Sequence, residues 1–273
     1  MKKVYLGALS FISLGYVSQA FANNSTDTEK KSQQASPVFT SIQLGALKEV
    51  ISKYLQENPN EVLTAAQAGM EQQQKEEVAK MEKAVSENKD KIFKDSSSPI
   101  AGNPEGPQTL VVFTDPYCDY CKKFYEDLNP FVTTHKDVKV IFKDLPIMGK
   151  NSMMTIKAML AAQKQGKYDQ FQKVVFESET PLTEKDLLKI SQSMGLDSKK
   201  FKSDLSSRDI QEQIDKTIEL SKVIGIRGTP AFIIGERKVV PGYMSPEELT
   251  KTLQEVYGLD SSEVGKQKIE TSS

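Results

Sequence analysis

Apolar positions along this chain change their spacing several times, and each change marks an element. After the basic start Met1-Lys2-Lys3 the chain is almost continuously apolar from Val4 to Val17. Residues 23–38 are mostly polar, have little to bury, and read as a disordered leader. From Phe39 onward Leu44, Leu47, Val50, Ile51, Tyr54 and Leu55 recur at helical spacing and predict a helix with one apolar stripe. Asn58-Pro59 stops it, because a residue before proline disfavours α backbone. A second helix is predicted from about Asn60, with Val62, Leu63, Ala66 and Met70. Gln72 to Lys94 is dominated by Glu, Lys and Gln, and its Val78, Met81, Val85 and Ile92 form a narrow a/d-like seam. Such a seam belongs either to a solvated linker helix or to a helix that pairs with its copy in another subunit. With no partner nearby in sequence, the second reading is preferred, and homo-oligomerisation is expected through residues 39–95.

Ser96-Ser97-Ser98-Pro99 and Gly102-Asn103-Pro104-Glu105-Gly106-Pro107 are a dense run of turn formers, read as a domain boundary. Residues 109–114 are short, apolar and β-branched, which predicts a buried strand. Asp115-Pro116-Tyr117 turns the chain, and a helix through Phe124, Leu128 and Phe131 follows, with Pro130 expected to kink or shorten it. Val138 to Phe142 is a second strand, so the unit is β–α–β with parallel pairing and a right-handed crossover. Residues 151–224 are helical in pattern, punctuated by Gly166, Pro181 and Gly195. Residues 231–234 and 237–240 predict a hairpin turning at Gly235-Glu236, and Pro246 to Val256 a final helix. Residues 259–273 read as a flexible polar tail. The fold class expected from this order is α/β, with a helical insertion and a preceding α-helical extension.

The ends and the charge narrow the function classes. A basic start, a short apolar core and Ala20-Phe21-Ala22 predict a secretory signal peptide over 1–22, hence a periplasmic or other cell-envelope location. The apolar run is short for a membrane span. No cysteine lies near the expected cleavage site, so a lipid anchor is not expected. Lysine and arginine number 36 against 37 acids, a net charge of −1, which gives no electrostatic reason to expect a nucleic-acid partner.

The chain has two cysteines, Cys118 and Cys121. Bridging so short a gap removes little entropy from the unfolded chain, so a structural staple explains the pair poorly. A thiolate at a helix start is stabilised by free N–H groups and the helix dipole. Cys118 is therefore the candidate nucleophile, and Cys121, one turn further in, the candidate resolving thiol. The two would alternate between a dithiol and a redox-active Cys118–Cys121 disulfide. Zinc is not expected: it wants at least three ligands, and the single histidine, His135, lies well down the same helical region. No other cofactor is implied. Gly228-Thr229-Pro230, directly before the strand at 231–234, is similar to the cis-proline segment that faces the dithiol in thioredoxin-like proteins.

Three stretches carry a wider resemblance: Phe113 to Cys121 (FTDPYCDYC), Phe142 to Ile147 (FKDLPI) and Gly228 to Gly235 (GTPAFIIG). Together with the helical insertion they resemble the DsbA family of thiol–disulfide oxidoreductases. The resemblance implies a thioredoxin-like domain over 99–258, with a helical insert at about 150–224. The 39–98 segment, with Tyr54 to Leu63 (YLQENPNEVL), is similar to the N-terminal segment that joins subunits in oligomeric members of ScsC type or immunoreactive-antigen type. Carried over, Cys118 is the nucleophile, Cys121 resolves, and Thr229 and Pro230 face the substrate. Expected partners are exported client proteins with cysteines and a membrane redox partner. One departure concerns the dipeptide between the cysteines, Asp119-Tyr120, where the strongly oxidising enteric DsbA has Pro-His. An acid in place of an imidazole disfavours the thiolate, so a less oxidising couple is expected. Oxidation, isomerisation and reduction of client disulfides all remain open at this point. So does a non-catalytic surface or adhesion protein on the same scaffold, which the intact dithiol argues against.

Overall fold

The computed structural model describes residues 39–259, so the expected signal peptide, the leader and all but one residue of the expected tail lie outside the described residues. The described residues divide into two units, one up to Val62 and one from Leu63 onward. In the first, α1 (Ser41–Glu57) starts with a capping box between Thr40 and Gln43 and has no buried residue. The second helix, α2 (Pro59–Glu87), begins with proline in its first turn, where the missing N–H costs nothing. A break at Asn88 separates it from α3 (Lys89–Phe93). No described helix is long and apolar enough to cross a membrane.

The second unit is built on a five-stranded sheet. Its strands are β1 (Ile100–Gly102), β2 (Gln108–Thr114), β3 (Val138–Asp144), β4 (Ala231–Ile234) and β5 (Lys238–Pro241), in the spatial order β1-β3-β2-β4-β5. Strands β2 and β3 pair in parallel from Gln108 opposite Val138 to Thr114 opposite Asp144, with α4 (Asp119–Thr134) as their crossover. The other three pairings are antiparallel. Five helices fill the interval between β3 and β4: α5 (Lys150–Gln163), α6 (Tyr168–Phe176), α7 (Glu184–Ser193), α8 (Ser198–Leu205) and α9 (Arg208–Ile224). The last helix, α10 (Pro246–Tyr257), has Pro at its start and a Ser245–Glu248 capping box.

Alternation along the strands sends their side chains to two cores. Leu110, Val112, Val140 and Phe142 face α4, α10 and the inserted helices, and Phe124 meets Phe232 edge-on at 4.7 Å. Val111, Phe113, Ile141 and Ile233 face the opposite way. That second core corrects the expected role of the seam. Met81, Val85 and Ile92 are buried in it, together with Leu220 and Ile224 of α9. Lys89 pairs with Glu236 at 2.6 Å beside them. The sheet needed an apolar cover on this face, and the seam supplies it from within the chain, so these three residues are unavailable for pairing between copies.

Two further differences from the sequence expectations have local causes. Ile100–Gly102, inside the run of turn formers, adds an edge strand to β3. Gly102 there has φ +72°, and a Cβ would lie 2.5 Å from the Val138 carbonyl oxygen, so only glycine fits. Helix α4 runs four residues beyond Pro130, so the proline does not end it there. Pro130 is exposed, so the carbonyl its ring leaves unbonded can reach water. Phe131 is buried, and His135, the C-cap, stacks on its ring at 4.0 Å.

Candidate active site

The β2–α4 connection brings the candidate residues together. Cys118 is the N-cap of α4, with extended backbone, and its carbonyl accepts the N–H groups of Cys121 and Lys122. Cys118 thus stands at the positive end of the helix dipole, although its sulfur makes no capping hydrogen bond to a first-turn N–H. Both cysteines are free thiols in this structure. Cys118 is half-buried; Cys121 is buried at 1% exposure in the core under α4. Burial pushes the Cys121 thiol up to about 12. The Asp115 backbone and the hydroxyls of Thr229 and Thr114 act in the opposite sense, and the neighbouring Cys118 adds to the rise. The two sulfurs thus differ in kind: one is at a helix end and reachable, the other is held as a neutral thiol.

Thr229 and Pro230 come from the other end of the fold. The Thr229–Pro230 peptide bond is cis. The Cys118 thiol donates a hydrogen bond to the Thr229 carbonyl at 3.1 Å, across 111 positions of sequence. Asp119, in the first turn of α4, and Tyr120, 64% exposed, lie directly beside Cys118 in the chain. Tyr120 approaches Tyr243, with ring centroids 6.3 Å apart; Lys123 lies over the Tyr243 ring, whose hydroxyl donates to Asp127. His135 is 14 positions beyond Cys121, occupied with Phe131 and Thr250, and has no contact with the dithiol among those described.

Several residues around the dithiol carried no signal in the sequence beyond their turn or strand pattern. The Tyr117 hydroxyl sits 2.8 Å from that of Thr155 and accepts the Leu182 N–H, tying the turn before Cys118 to the inserted helices. Lys122 donates to the Ser178 carbonyl at 2.6 Å. Asp115 is fully buried, and Asp144 at the end of β3 is buried too, which lifts its carboxyl to about 7 against the opposing Tyr168 hydroxyl. Asp-Pro-Tyr announced a turn, but nothing local announced that its carboxylate would be enclosed.

A profile of the family described as Thioredoxin matches residues 94–255. Among solved structures, a linker-deletion mutant of ScsC from Proteus mirabilis is 26% identical, with a TM-score of 0.59 over 82% of this chain and 99% of that one. A periplasmic thioredoxin-like protein from Salmonella enterica serovar Typhimurium is 28% identical, with a TM-score of 0.52 over 61% of this chain and 94% of that one. Disulfide bond formation protein D of Bacillus subtilis is 26% identical over 173 residues, 57% of this chain and 75% of that protein. The chain spans only 22% of the length of another curated relative, the Na(+)/H(+) antiporter NhaA 3 of Salinispora tropica, at 23% identity over 141 residues. The matched interval takes in the sheet, the dithiol helix, the inserted helices and the cis-proline segment, and the chain belongs to the thioredoxin family.

Proposed function

We propose that this chain is an exported thiol–disulfide oxidoreductase that forms or rearranges disulfides in cell-envelope proteins. The observation that carries this reading is the asymmetry of the pair: Cys118 at a helix N-terminus and hydrogen-bonded to Thr229, Cys121 buried one turn on. Cys118, as thiolate, attacks one sulfur of a client disulfide. A mixed disulfide forms, and the other client sulfur leaves as thiolate. Cys121 then gives up its proton and attacks the Cys118 sulfur. The second client thiolate leaves, the Cys118–Cys121 disulfide closes, and the client has gained two electrons. Run backwards, the same steps oxidise a client dithiol, and a membrane redox partner would restore the starting state. Thr229 and Pro230 face the client, and Asp119 and Tyr120 tune the couple. Against glutathione the reduction potential is expected to be less oxidising than that of enteric DsbA; an equally oxidising value would contradict the role given to Asp119.

Rearrangement is favoured over net oxidation by the exposed stripe of α1. Leu47, Val50, Ile51 and Tyr54 are between 41% and 65% exposed. An isolated helix of this length is marginal in water, and an apolar face of this kind needs a cover. A second copy of the same helix would supply one, gathering several dithiols around one misfolded client. Oligomerisation is thus assigned to α1 and the start of α2, and no longer to the whole of residues 39–95. The test uses the full chain and a Leu47→Glu/Ile51→Glu variant, with solution mass and refolding of a scrambled disulfide substrate measured on both. The full chain is expected to be oligomeric and the variant monomeric, with isomerase activity reduced about tenfold through lost multivalency. A monomeric full chain would end the oligomer reading, and a monomeric variant with full isomerase activity would give α1 another purpose.

A further inference from the structure

The Asp115 carboxylate is fully buried and collects four hydrogen bonds from three stretches of chain. Oδ1 accepts the Tyr117 N–H and the Ser152 hydroxyl, both at 2.8 Å. Oδ2 accepts the N–H groups of Ile147 at 2.8 Å and Met148 at 3.0 Å. The Asp115 carbonyl also accepts the Cys118 N–H at 3.1 Å. An ionised carboxylate offers about four acceptor positions, and here each has a donor. Bonds to a charged acceptor are short and strong, and a buried charge persists only when satisfied in this way.

What these bonds hold matters more than their number. On one side is the turn that delivers Cys118 to the start of α4. On the other is the loop between β3 and α5, whose Ile147 and Met148 are 42% and 57% exposed. Their backbones are fixed while their apolar side chains face water. Through Asp115 these two residues are tied to the turn that leads into Cys118. A residue serving only to fill the core would be apolar. This one is a carboxyl group whose donors, Ser152 apart, are backbone groups of the turn into Cys118 and of the β3–α5 loop.

We propose that Asp115 is a positioning residue for the client: its carboxylate holds the turn into Cys118 and the Ile147–Met148 ledge in one arrangement. An apolar side chain flanking the client's cysteine is then seated on the ledge while its sulfur is presented to Cys118. This rests on the dithiol being the exchange centre.

The test compares wild type, Asp115→Asn and Ile147→Ser/Met148→Ser, all as full chains. Asparagine sets an NH2 group against two of the four donors, so the clamp opens while the volume is kept. In Asp115→Asn the amides of Ile147 and Met148 are expected to exchange with deuterium about tenfold faster than in wild type. For a disulfide peptide with leucine beside its cysteine, KM is expected to rise about tenfold relative to glutathione disulfide in both variants, the scale of one lost apolar contact. Equal losses on the peptide and on glutathione disulfide, with a changed reduction potential, would overturn the proposal, since Asp115 would then act on the thiols. Rapid exchange of both amides in wild type would overturn it too. If Asp115→Asn does not fold, the exposed double variant decides by its KM ratio. If wild type reacts with neither disulfide, the exchange reading fails, and amide exchange, which needs no chemistry, still shows whether the clamp exists.

Discussion

Replacing Cys118 by serine is expected to bring disulfide exchange down to the rate of buffer alone, whereas Cys121→Ser should leave the first attack intact and stop the reaction after it. The difference follows from the positions of the two thiols. Cys118 caps α4 and is only half-buried, so it is the sulfur a client can reach. Cys121 is buried and held as a neutral thiol, so it has no route to a client of its own. Removing it takes away the only resolving sulfur in the chain. The client then stays attached to Cys118, and a covalent adduct of client mass should accumulate, visible by mass spectrometry under non-reducing conditions and released by a thiol reductant. Hydroxyl oxygen cannot substitute at either place, because it is not ionised near neutrality and forms no exchangeable bond with sulfur. An adduct formed by the Cys118→Ser chain would reverse the two assignments. Multiple turnover by the Cys121→Ser chain at the wild-type rate would remove Cys121 from the mechanism.

The second large effect is on stability. Lys143 lies on the face of β3 opposite the dithiol helix, with its side chain 2% exposed. Its ammonium donates to Asp95 at 2.9 Å and to the Lys91 carbonyl at 3.2 Å, both from the segment at the end of α3. Burial pushes Lys143 below its ordinary value, with Asp95 opposing. Burial would raise Asp95, but the Ser97 hydroxyl and the Lys143 ammonium outweigh it and hold the carboxyl at about 2. The two shifts point in opposite directions energetically: the carboxylate gains from the pair and the lysine is burdened by its surroundings. The pair is therefore best seen as one that cannot be halved.

Asp95→Ala leaves an ammonium buried without its counter-charge, and about 3 kcal/mol should be lost, the low end for a broken buried pair because Asp95 is partly open to water. In a domain of this size that lowers Tm by about 6–12 °C. Lys143→Met removes the buried charge itself, fills similar volume and leaves Asp95 with Ser97, Ser98 and solvent, so its loss should be clearly smaller. Because the folded carboxyl of Asp95 is depressed, its contribution is fully present above about pH 4 and disappears as pH falls toward about 2. Thermal denaturation of the three chains from pH 7 to pH 2 checks both points. Lys143→Met proving the more harmful change would overturn this account, as would an unchanged acid-side slope in Asp95→Ala.

Much of the fold is legible because its signals are local. Strands β2, β3 and β4 are short runs of β-branched and aromatic residues bounded by Gly and Pro. The hairpin turn at Gly235 and the capping box at Ser245 need only neighbours in sequence. The position of Cys118 at a helix start follows from a strand, a turn and a helical period in succession. By contrast, the seam of Met81, Val85 and Ile92 showed which face of its helix is apolar without showing what covers that face. Periodicity is silent on the partner, and here the partner is the sheet's second face, not a second chain. Strand β1 was hidden by its turn-forming surroundings, since three residues at a sheet edge owe their state to the pairing with β3 rather than to propensity.

By itself, then, the sequence determined the α/β class, the β–α–β unit, the helix start that carries Cys118, the Thr-Pro segment and the helical stretch between the two halves. It could do so because hydrophobic period, turn chemistry and capping act over a few residues. Only the tertiary structure decided that Cys118 meets the Thr229 carbonyl, that Asp115 gathers donors from positions 147, 148 and 152, that Lys143 is buried against Asp95, and that three of the four seam residues belong to the core. Each of these is a contact between residues far apart in sequence, set by how layers close over the sheet. A polar side chain gives no local sign of whether folding will leave it in water or enclose it with the donors it then requires.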